Sequence, residues 1–165
     1  LGDFLRLALE NKGVQEITLR QEIDFLQRYM NIEKIRFQER LLVSFDVDSS
    51  LLDGYVPNMI LQPLVENAIH HGIGPNAEQG SIRVSARMDG DLLVIDVKDN
   101  GQGIQEKKAS DRREGVGLSN TRGRLESIYG DEANFELVNS PKGGLIARVS
   151  LPFGTSPVIS PRTSS

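Results

Sequence analysis

The chain has 165 residues, enough for one domain with a sizeable core and an appendage, since domains commonly run ~100–150 residues. Its lack of cysteine excludes disulfides and thiolate metal sites and favours a reducing, cytoplasmic compartment. A net charge of −4 and a pI near 5.2 argue against nucleic-acid binding, and no apolar run reaches the ~20 residues that cross a bilayer.

Residues 1–36 are predicted to form a helical hairpin. Apolar residues at helical spacing precede Gly13, which commonly ends a helix, and Thr18 with Gln21 can form a reciprocal cap at the start of a second helix. Apolar residues of that helix alternate spacings of four and three, which predicts a seam for a partner helix: Leu19, Ile23, Leu26 and Met30. The chain begins without methionine, so we expect a longer protein in which a sensor region or membrane anchor could lie upstream.

Residues 37–153 are predicted to form the globular domain, and the Ser- and Thr-rich residues 154–165 a flexible tail. Apolar and polar residues alternate over 41–47 and 82–88, and 92–97 form a more apolar, central strand after the Asp89-Gly90 turn. Helices are expected around Asn67, with Pro63 in the first turn or at a kink, and over 118–129 before Gly130. Strands at 135–137 and 145–151 complete an α/β two-layer sandwich, with helices on one face of a mixed, mostly antiparallel sheet.

Three short motifs lie at the edges of these elements. They are Glu66-Asn67-Ala68-Ile69-His70-His71-Gly72 on a helix, Asp99-Asn100-Gly101-Gln102-Gly103-Ile104 after the central strand, and Gly115-Val116-Gly117-Leu118 at the start of a helix. A glycine turn that opens a helix offers unpaired amides and a positive dipole end to phosphate. Asp99 could accept a hydrogen bond from an amino-bearing base, which discriminates better than apolar contact.

As a set, these motifs resemble the ATP-binding catalytic domain of sensor histidine kinases in the GHKL superfamily. The segments 61–72 and Asn120-Thr121-Arg122-Gly123-Arg124-Leu125 resemble the LytS/YehU-type subgroup more than the common kinases, and the resemblance covers roughly residues 18 to 152. It implies the Bergerat-type ATP-binding fold and the cofactors ATP and Mg²⁺. It also implies a helical phosphoacceptor domain of the same protein, a response regulator and a homodimer as partners.

The resemblance also implies the roles of the site residues. Asn67 would bind Mg²⁺, and Asp99 would bind the adenine amino group. The nucleotide would further contact residues of both glycine motifs, namely Gly101, Gly103, Ile104, Gly115, Val116, Gly117 and Leu118. His71 shares a helix face with Asn67 and could contact the nucleotide near its phosphates. Arg122 could bind a phosphate with both ends of its guanidinium, although a surface salt bridge is an equal alternative. His70 points elsewhere, and adjacent histidines without cysteine fit a zinc site poorly.

Pro63 stands where hydrolytic relatives carry a water-activating Glu, four residues before Asn67, and Glu66 lies about 100° round the helix. We therefore expect a site that holds ATP for transfer to a histidine outside this chain, because the phosphoacceptor motif of the subgroup is absent. A non-catalytic, nucleotide-responsive dimerisation module and a GHKL ATPase or serine kinase remain alternatives. Leu145 follows Gly143-Gly144 where many relatives have Thr, so that hydroxyl is missing.

Overall fold

The computed structural model describes residues 15–37, 40–73, 79–101 and 116–157. Strands β1 (Glu16–Thr18) and β3 (Tyr55–Pro57) form a small antiparallel ribbon. The main sheet has five strands, which are β2 (Leu41–Val47), β4 (Gly80–Asp89), β5 (Leu92–Asp99), β6 (Asn134–Asn139) and β7 (Leu145–Pro152). Their order is β2-β4-β5-β7-β6; β2 runs parallel to β4 and the other pairs are antiparallel, so the predicted mixed, mostly antiparallel sheet with a central β5 is confirmed.

The helices are α1 (Leu19–Arg36), α2 (Gln62–Asn67) and α3 (Val116–Tyr129), with 3₁₀ turns at Ser49–Leu51 and Gly130–Glu132. A π-helical segment, Ala68–Ile73, continues α2 without a break. Pro63 lies in the first turn of α2, and Gly130 ends α3 with a φ of 58°, as predicted. No helix in the described ranges is both long and apolar enough to span a membrane.

The start of α1 is confirmed in its chemical detail. The Thr18 hydroxyl accepts the Gln21 amide at 3.2 Å, and the Gln21 side chain accepts the Thr18 amide at 3.0 Å. The seam predicted for a partner helix, however, packs into the core of this domain: Leu19, Leu26 and Met30 are all 0–1% exposed and join the apolar cluster of the sheet. Burial against the sheet stabilises this stripe, since apolar burial contributes ~25 cal/mol per Å².

One face of the sheet is covered by the helices and the other is open. Alternate residues of β5 and β7, such as Ile95 and Val149, point into the core. On the open face, Asp96 accepts from Arg87 at 3.0 Å and from Arg148 at 2.8 and 2.9 Å. This ionic cluster joins β4, β5 and β7 across three neighbouring strands. The predicted two-layer arrangement is therefore confirmed.

Both ends of the described fold meet at Gly54 and Tyr55. The Leu19 amide donates to the Gly54 carbonyl at 2.7 Å, and the Tyr55 amide donates to the Gly154 carbonyl at 2.9 Å. Space at Gly54 is so limited that an added Cβ would lie 2.5 Å from the Phe153 ring. The first residue of the predicted tail is thus hydrogen-bonded, while residues 158–165 and the first helix of the predicted hairpin lie outside the described ranges. The boundaries at 36/37 and 153/154 stay predictions.

Candidate nucleotide site

Asp99 is the last residue of the central strand and is 3% exposed. Its Oδ1 accepts the Gly101 amide at 2.9 Å and the Leu145 amide at 3.3 Å. These two amides come from the turn after β5 and from the start of β7. They fix the orientation of the carboxylate, because each N–H restricts where Oδ1 can lie.

Asn100 holds the turn that follows Asp99. Its Oδ1 accepts the Ser81 amide at 2.9 Å, and its Nδ2 donates to the Gln79 carbonyl at 3.3 Å. The side chain therefore ties the end of β5 to the start of β4. Sequence reasoning treated Asn100 only as part of a motif, although asparagine commonly hydrogen-bonds the backbone at turns.

Gly144 allows the β6–β7 turn to approach this point. A Cβ added to Gly144 would lie 1.9 Å from the Asp99 carbonyl oxygen, and its φ is +90°. Only glycine fits such a contact, because no other residue lacks a Cβ. The sequence directed attention to the missing threonine at Leu145, whereas the structure shows a packing reason for the glycine before it.

Asn67 is half-buried at the end of α2, where the π-helical segment begins. That segment packs against β4 and β5, so it lies over the strand that ends at Asp99. π-helical turns are rare and frequent at functional sites. His71 lies within the segment, but its side chain is outside the described set, and His70 is exposed.

The start of α3 contacts the start of α2. A Cβ added to Gly117 would meet the Pro63 Cβ at 3.6 Å, and the Thr121 hydroxyl donates to the Gly117 carbonyl at 3.0 Å. The second glycine motif therefore lies beside the helix that carries Asn67. Leu118 is 5% exposed and its side chain belongs to the core, so only its backbone could face a ligand.

Three predicted nucleotide contacts, Gly103, Ile104 and Gly115, lie outside the described residues. Val116 begins α3, but its side chain is likewise not described. The geometry consequently brings together the Asp99 turn, the Asn67 helix and Gly117. The nucleotide-binding roles of these residues, and of the rest of the two glycine motifs, stay predictions.

Arg122 makes a structural contact in this conformation. Its Nη1 donates to the Phe135 carbonyl at 2.8 Å, and the guanidinium lies 5.2 Å from the centre of the Phe135 ring. Phe135 pairs with Val149, whereas the Asp99 end of the sheet is at Leu145. Four residues of strand separate these positions, ~13 Å at the usual rise. The phosphate role of Arg122 stays a prediction.

Glu66 is hydrogen-bonded within α2. It accepts from the Gln62 side chain at 3.0 Å, one turn earlier. This contact indicates a structural role for Glu66 within α2. Pro63, in the first turn, supplies no carboxylate to activate water.

The described residues contain no cluster of three or more His, Cys, Asp or Glu side chains that could hold a metal ion. The resemblance predicts a metal that Asn67 holds together with oxygens from outside the protein. Mg²⁺ commonly binds in this way, with one or two protein ligands, phosphate oxygens and several waters. The donor set therefore fits a magnesium ion that enters together with a polyphosphate.

Residues 56–155 match the family described as histidine kinase-, DNA gyrase B- and HSP90-like ATPase. The chain belongs to this family. Residues 1–41 match a second family, histidine kinase, so α1 falls in one match and the site in the other. The resemblance inferred from the three motifs is confirmed.

Curated relatives are sensor kinases. The chain is 32% identical over 161 residues to Sensor protein LytS of Enterococcus faecalis, which covers 92% of the chain and 27% of that protein. It is 31% identical over 153 residues to Sensor histidine kinase YesM of Bacillus subtilis, covering 92% and 26%. The chain is thus homologous to the ATP-binding domain of LytS- and YesM-type kinases and spans about a quarter of their length.

Solved structures share the fold. The catalytic domain of histidine kinase ThkA, in a nucleotide-free form, matches with a TM-score of 0.65 and 21% identity, over 83% of this chain and 94% of that domain. The histidine kinase domain of the blue-light-activated kinase of Erythrobacter litoralis matches with a TM-score of 0.60 and 19% identity, over 82% and 61%. The predicted fold class is confirmed by these matches.

Proposed function

We propose that this chain binds Mg-ATP and presents the γ-phosphate to a histidine that lies outside it. The observation that carries the proposal is the Asp99 carboxylate, buried and fixed by the Gly101 and Leu145 amides at the edge of the sheet that α2 and its π-helical continuation cover. Membership of the ATPase family and homology to sensor kinases support it.

Asp99 would select adenine by accepting a hydrogen bond from its amino group. Guanine has a carbonyl where adenine has its amino group, so its oxygen would face the buried Asp99 carboxylate, and neither group could donate a hydrogen bond. Sites that hydrogen-bond one substrate group reject an analogue that lacks it strongly, because the buried partner is left unpaired. ATP should therefore bind far more tightly than GTP.

The Asn67 side-chain oxygen would hold Mg²⁺, and the other ligands would be phosphate oxygens and water. The ion supplies charge neutralisation on the phosphates during transfer. Amides at the start of α3, beside Gly117, would face the phosphates, where the helix dipole favours negative charge. The γ-phosphoryl group would pass from ATP to a ring nitrogen of the acceptor histidine, and ADP would leave.

Pro63 and Glu66 support transfer rather than hydrolysis. Pro63 has no group that could abstract a proton from water, and Glu66 is hydrogen-bonded to Gln62. Because neither of these two positions offers a base that could activate water, ATP should persist in the site. The complete protein would contribute the phosphoacceptor helical domain, form a homodimer in the cytoplasm and pass the phosphoryl group to a response regulator. ThkA has been solved in complex with the response regulator TrrA, and 93% of this chain aligns with that structure at a TM-score of 0.63.

Titration of the protein with ATP and with GTP, each with Mg²⁺, tests the proposal. Asp99→Asn should weaken ATP binding at least ~10-fold, since an amide NH₂ would replace a carboxylate acceptor. Asp96→Asn is the matched control, because Asp96 lies three residues earlier on the same strand and on the open face of the sheet. Equal affinities for ATP and GTP in the unaltered protein would refute the proposal.

A second assay addresses transfer. The protein is mixed with labelled ATP and a separate helical domain of a LytS-type kinase that contains the acceptor histidine. Label should appear on the helical domain and not on His70 or His71. Binding of ATP without transfer would instead favour the nucleotide-responsive interaction module.

A further inference from the structure

Helix α2, which carries Asn67, has no cap of its own. Its N-cap residue is Leu61, which makes no side-chain capping bond, and Pro63 in its first turn has no amide. Met59, two residues before the N-cap, has a φ of +58°, which is uncommon for a residue with a Cβ. The amides of such a helix start need partners, since buried unpaired N–H groups cost free energy.

Those partners come from α1. Glu22 Oε2 accepts the Met59 amide and Glu22 Oε1 accepts the Leu61 amide, both at 3.0 Å. The Glu22 side chain is 1% exposed. A carboxylate buried so completely is unfavourable unless hydrogen bonds and charge offset its desolvation. Here both carboxylate oxygens accept hydrogen bonds from the segment that leads into α2.

Helix α3 also acts on this carboxylate and on the strand before α1. Burial raises the pKa of the Glu22 carboxyl, and the positive charge of half-buried Arg124 on α3 acts against that rise. Five residues later in α3, the Tyr129 hydroxyl donates to Glu16 Oε2 at 3.2 Å inside the protein. The first turn of α1 and the strand before it are therefore linked to α2 and α3 together.

This contact also crosses between the two family matches. Glu22 lies within residues 1–41, matched to the histidine kinase family, while Met59, Leu61 and Arg124 lie within residues 56–155, matched to the ATPase family. We propose that Glu22 is a positioning residue that couples movement of α1 to the placement of Asn67 on α2, an inference that rests on the proposed Mg-ATP site.

The distances make such coupling effective. Asn67 is six residues beyond Leu61, ~9 Å along a helix. A change in direction at Leu61 therefore displaces Asn67, and displacements of ~1 Å in a reacting or binding group can change rates ~100-fold. Coupling through Glu22 is reciprocal: nucleotide held at Asn67 must in turn stabilise the Glu22 contacts.

Glu22→Gln tests the proposal, because it preserves size but places an NH₂ group against one of the two amides. Affinity for Mg-ATP should fall about 5-fold or more. Glu33→Gln is the matched control: Glu33 is also a buried carboxylate on α1, and it forms an ion pair with Arg36 of the same helix at 3.7 Å. The control should change Mg-ATP affinity less than about 2-fold. Both variants are measured at a temperature where unfolding curves show them folded.

A double-mutant cycle separates positioning from general destabilisation. In an Asn67→Ala background, Glu22→Gln should have little further effect on nucleotide affinity, since it acts through Asn67. Equal losses in both backgrounds, or a folded Glu22→Gln protein with unchanged affinity, would overturn the inference. If the unaltered protein does not bind ATP at all, the proposed function itself fails, which is a different result.

Hydrogen exchange on the unaltered protein gives an independent test that needs no variant to fold. Mg-ATP at saturating concentration should slow hydrogen exchange of the Met59 and Leu61 amides, which donate hydrogen bonds to Glu22. For comparison, exchange of the Ser81 amide, which donates a hydrogen bond to Asn100, reports on the turn that follows Asp99. Saturation with no slowing at Met59 and Leu61 would contradict coupling through Glu22.

Discussion

Gly144 lies directly against the backbone of Asp99, so that a Cβ at Gly144 would be 1.9 Å from the Asp99 carbonyl oxygen and 2.9 Å from its carbon. The loop that leads into β7 is thereby held against the end of β5. Leu145, the next residue, then places its amide on the Asp99 carboxylate at 3.3 Å. One residue without a side chain thus determines the position of the proposed base-binding group.

Gly144→Ala should destabilise the protein and weaken ATP binding, since backbone atoms of Asp99 cannot move aside as a flexible side chain can. Gly143→Ala is a close control: Gly143 also has a positive φ, +96°, but an added Cβ would have nothing within 4 Å. Strain alone should cost Gly143→Ala ~1–3 kcal/mol. Gly144→Ala should cost more and lower ATP affinity, measured by denaturant unfolding and by titration. Equal effects of the two substitutions would contradict the steric argument.

Arg122→Ala should affect stability more than nucleotide binding. The substitution removes the hydrogen bond to the Phe135 carbonyl and the contact with the Phe135 ring, each worth ~1 kcal/mol. We expect a loss of about 1–2 kcal/mol in denaturant unfolding and less than about a 2-fold change in ATP affinity. A loss of affinity of ~10-fold or more would show that Arg122 reaches the phosphates, as the family resemblance implies.

Asp96→Asn should destabilise the sheet without affecting nucleotide binding. Burial opposes ionisation of Asp96, but its hydrogen bonds to Arg148 and Arg87 outweigh burial and hold its pKa below the usual 3.8. The stabilisation is therefore present above pH 3.8 and is lost as the pH falls through the lower, folded-state pKa. At neutral pH the substitution should cost ~1–3 kcal/mol.

Glu136→Gln is the control for that experiment. Glu136 also contacts Arg148, at 3.8 Å, but its side chain is 48% exposed. Exposed ion pairs contribute ~0–1 kcal/mol, so its loss should be small. A similar cost for both substitutions in urea titrations would show that the arginines, and not Asp96, hold the three strands together.

Glu22 should make stability depend on pH in the opposite direction. Burial raises the pKa of Glu22 to about 7 from 4.5, against the Leu61 and Met59 amides and the Arg124 charge, which lower it. The folded state therefore binds a proton more tightly than the unfolded state. The contribution is fully present below pH 4.5 and is lost as pH rises to 7.

The measurement is the difference in unfolding free energy between the unaltered protein and Glu22→Gln at several pH values. This difference should fall by up to ~3 kcal/mol between pH 4.5 and 7. Asp24→Asn, which removes an exposed carboxylate on the same helix, paired with Arg28 at 3.5 Å, is measured beside it as a control for loss of a surface charge. A flat profile for the Glu22 comparison would mean that Glu22 is ionised throughout.

Local patterns predicted much of the fold. Thr18 and Gln21 formed the expected cap, and the alternation through Ile82 and Val84 produced β4. Each of these signals depends on residues two to four positions apart, a range over which side-chain chemistry dictates backbone geometry. The β1–β3 ribbon was missed because strands of three residues show no readable period.

The sequence pointed to the central residues of the candidate site, whose roles stay predictions, but not to the residues that hold them in place. Asp99 and Asn67 belong to motifs that the family resemblance recognises. Glu22 gave no such signal, since a Glu in the first turn of a helix usually faces water and interacts with the helix dipole. Its partners lie 37 and 39 residues away, and no local pattern encodes a contact over that separation.

Gly54 and Tyr55 have a mechanical consequence. The Leu19 amide is hydrogen-bonded to Gly54, and the Tyr55 amide is hydrogen-bonded to Gly154. A force on the start of α1 is therefore transmitted to the segment that follows β7. Tension applied to the start of that helix would pass through Gly54 and Tyr55 to Gly154. Rotation of α1 would for the same reason drag the β1–β3 ribbon and an outer corner of the domain along with it.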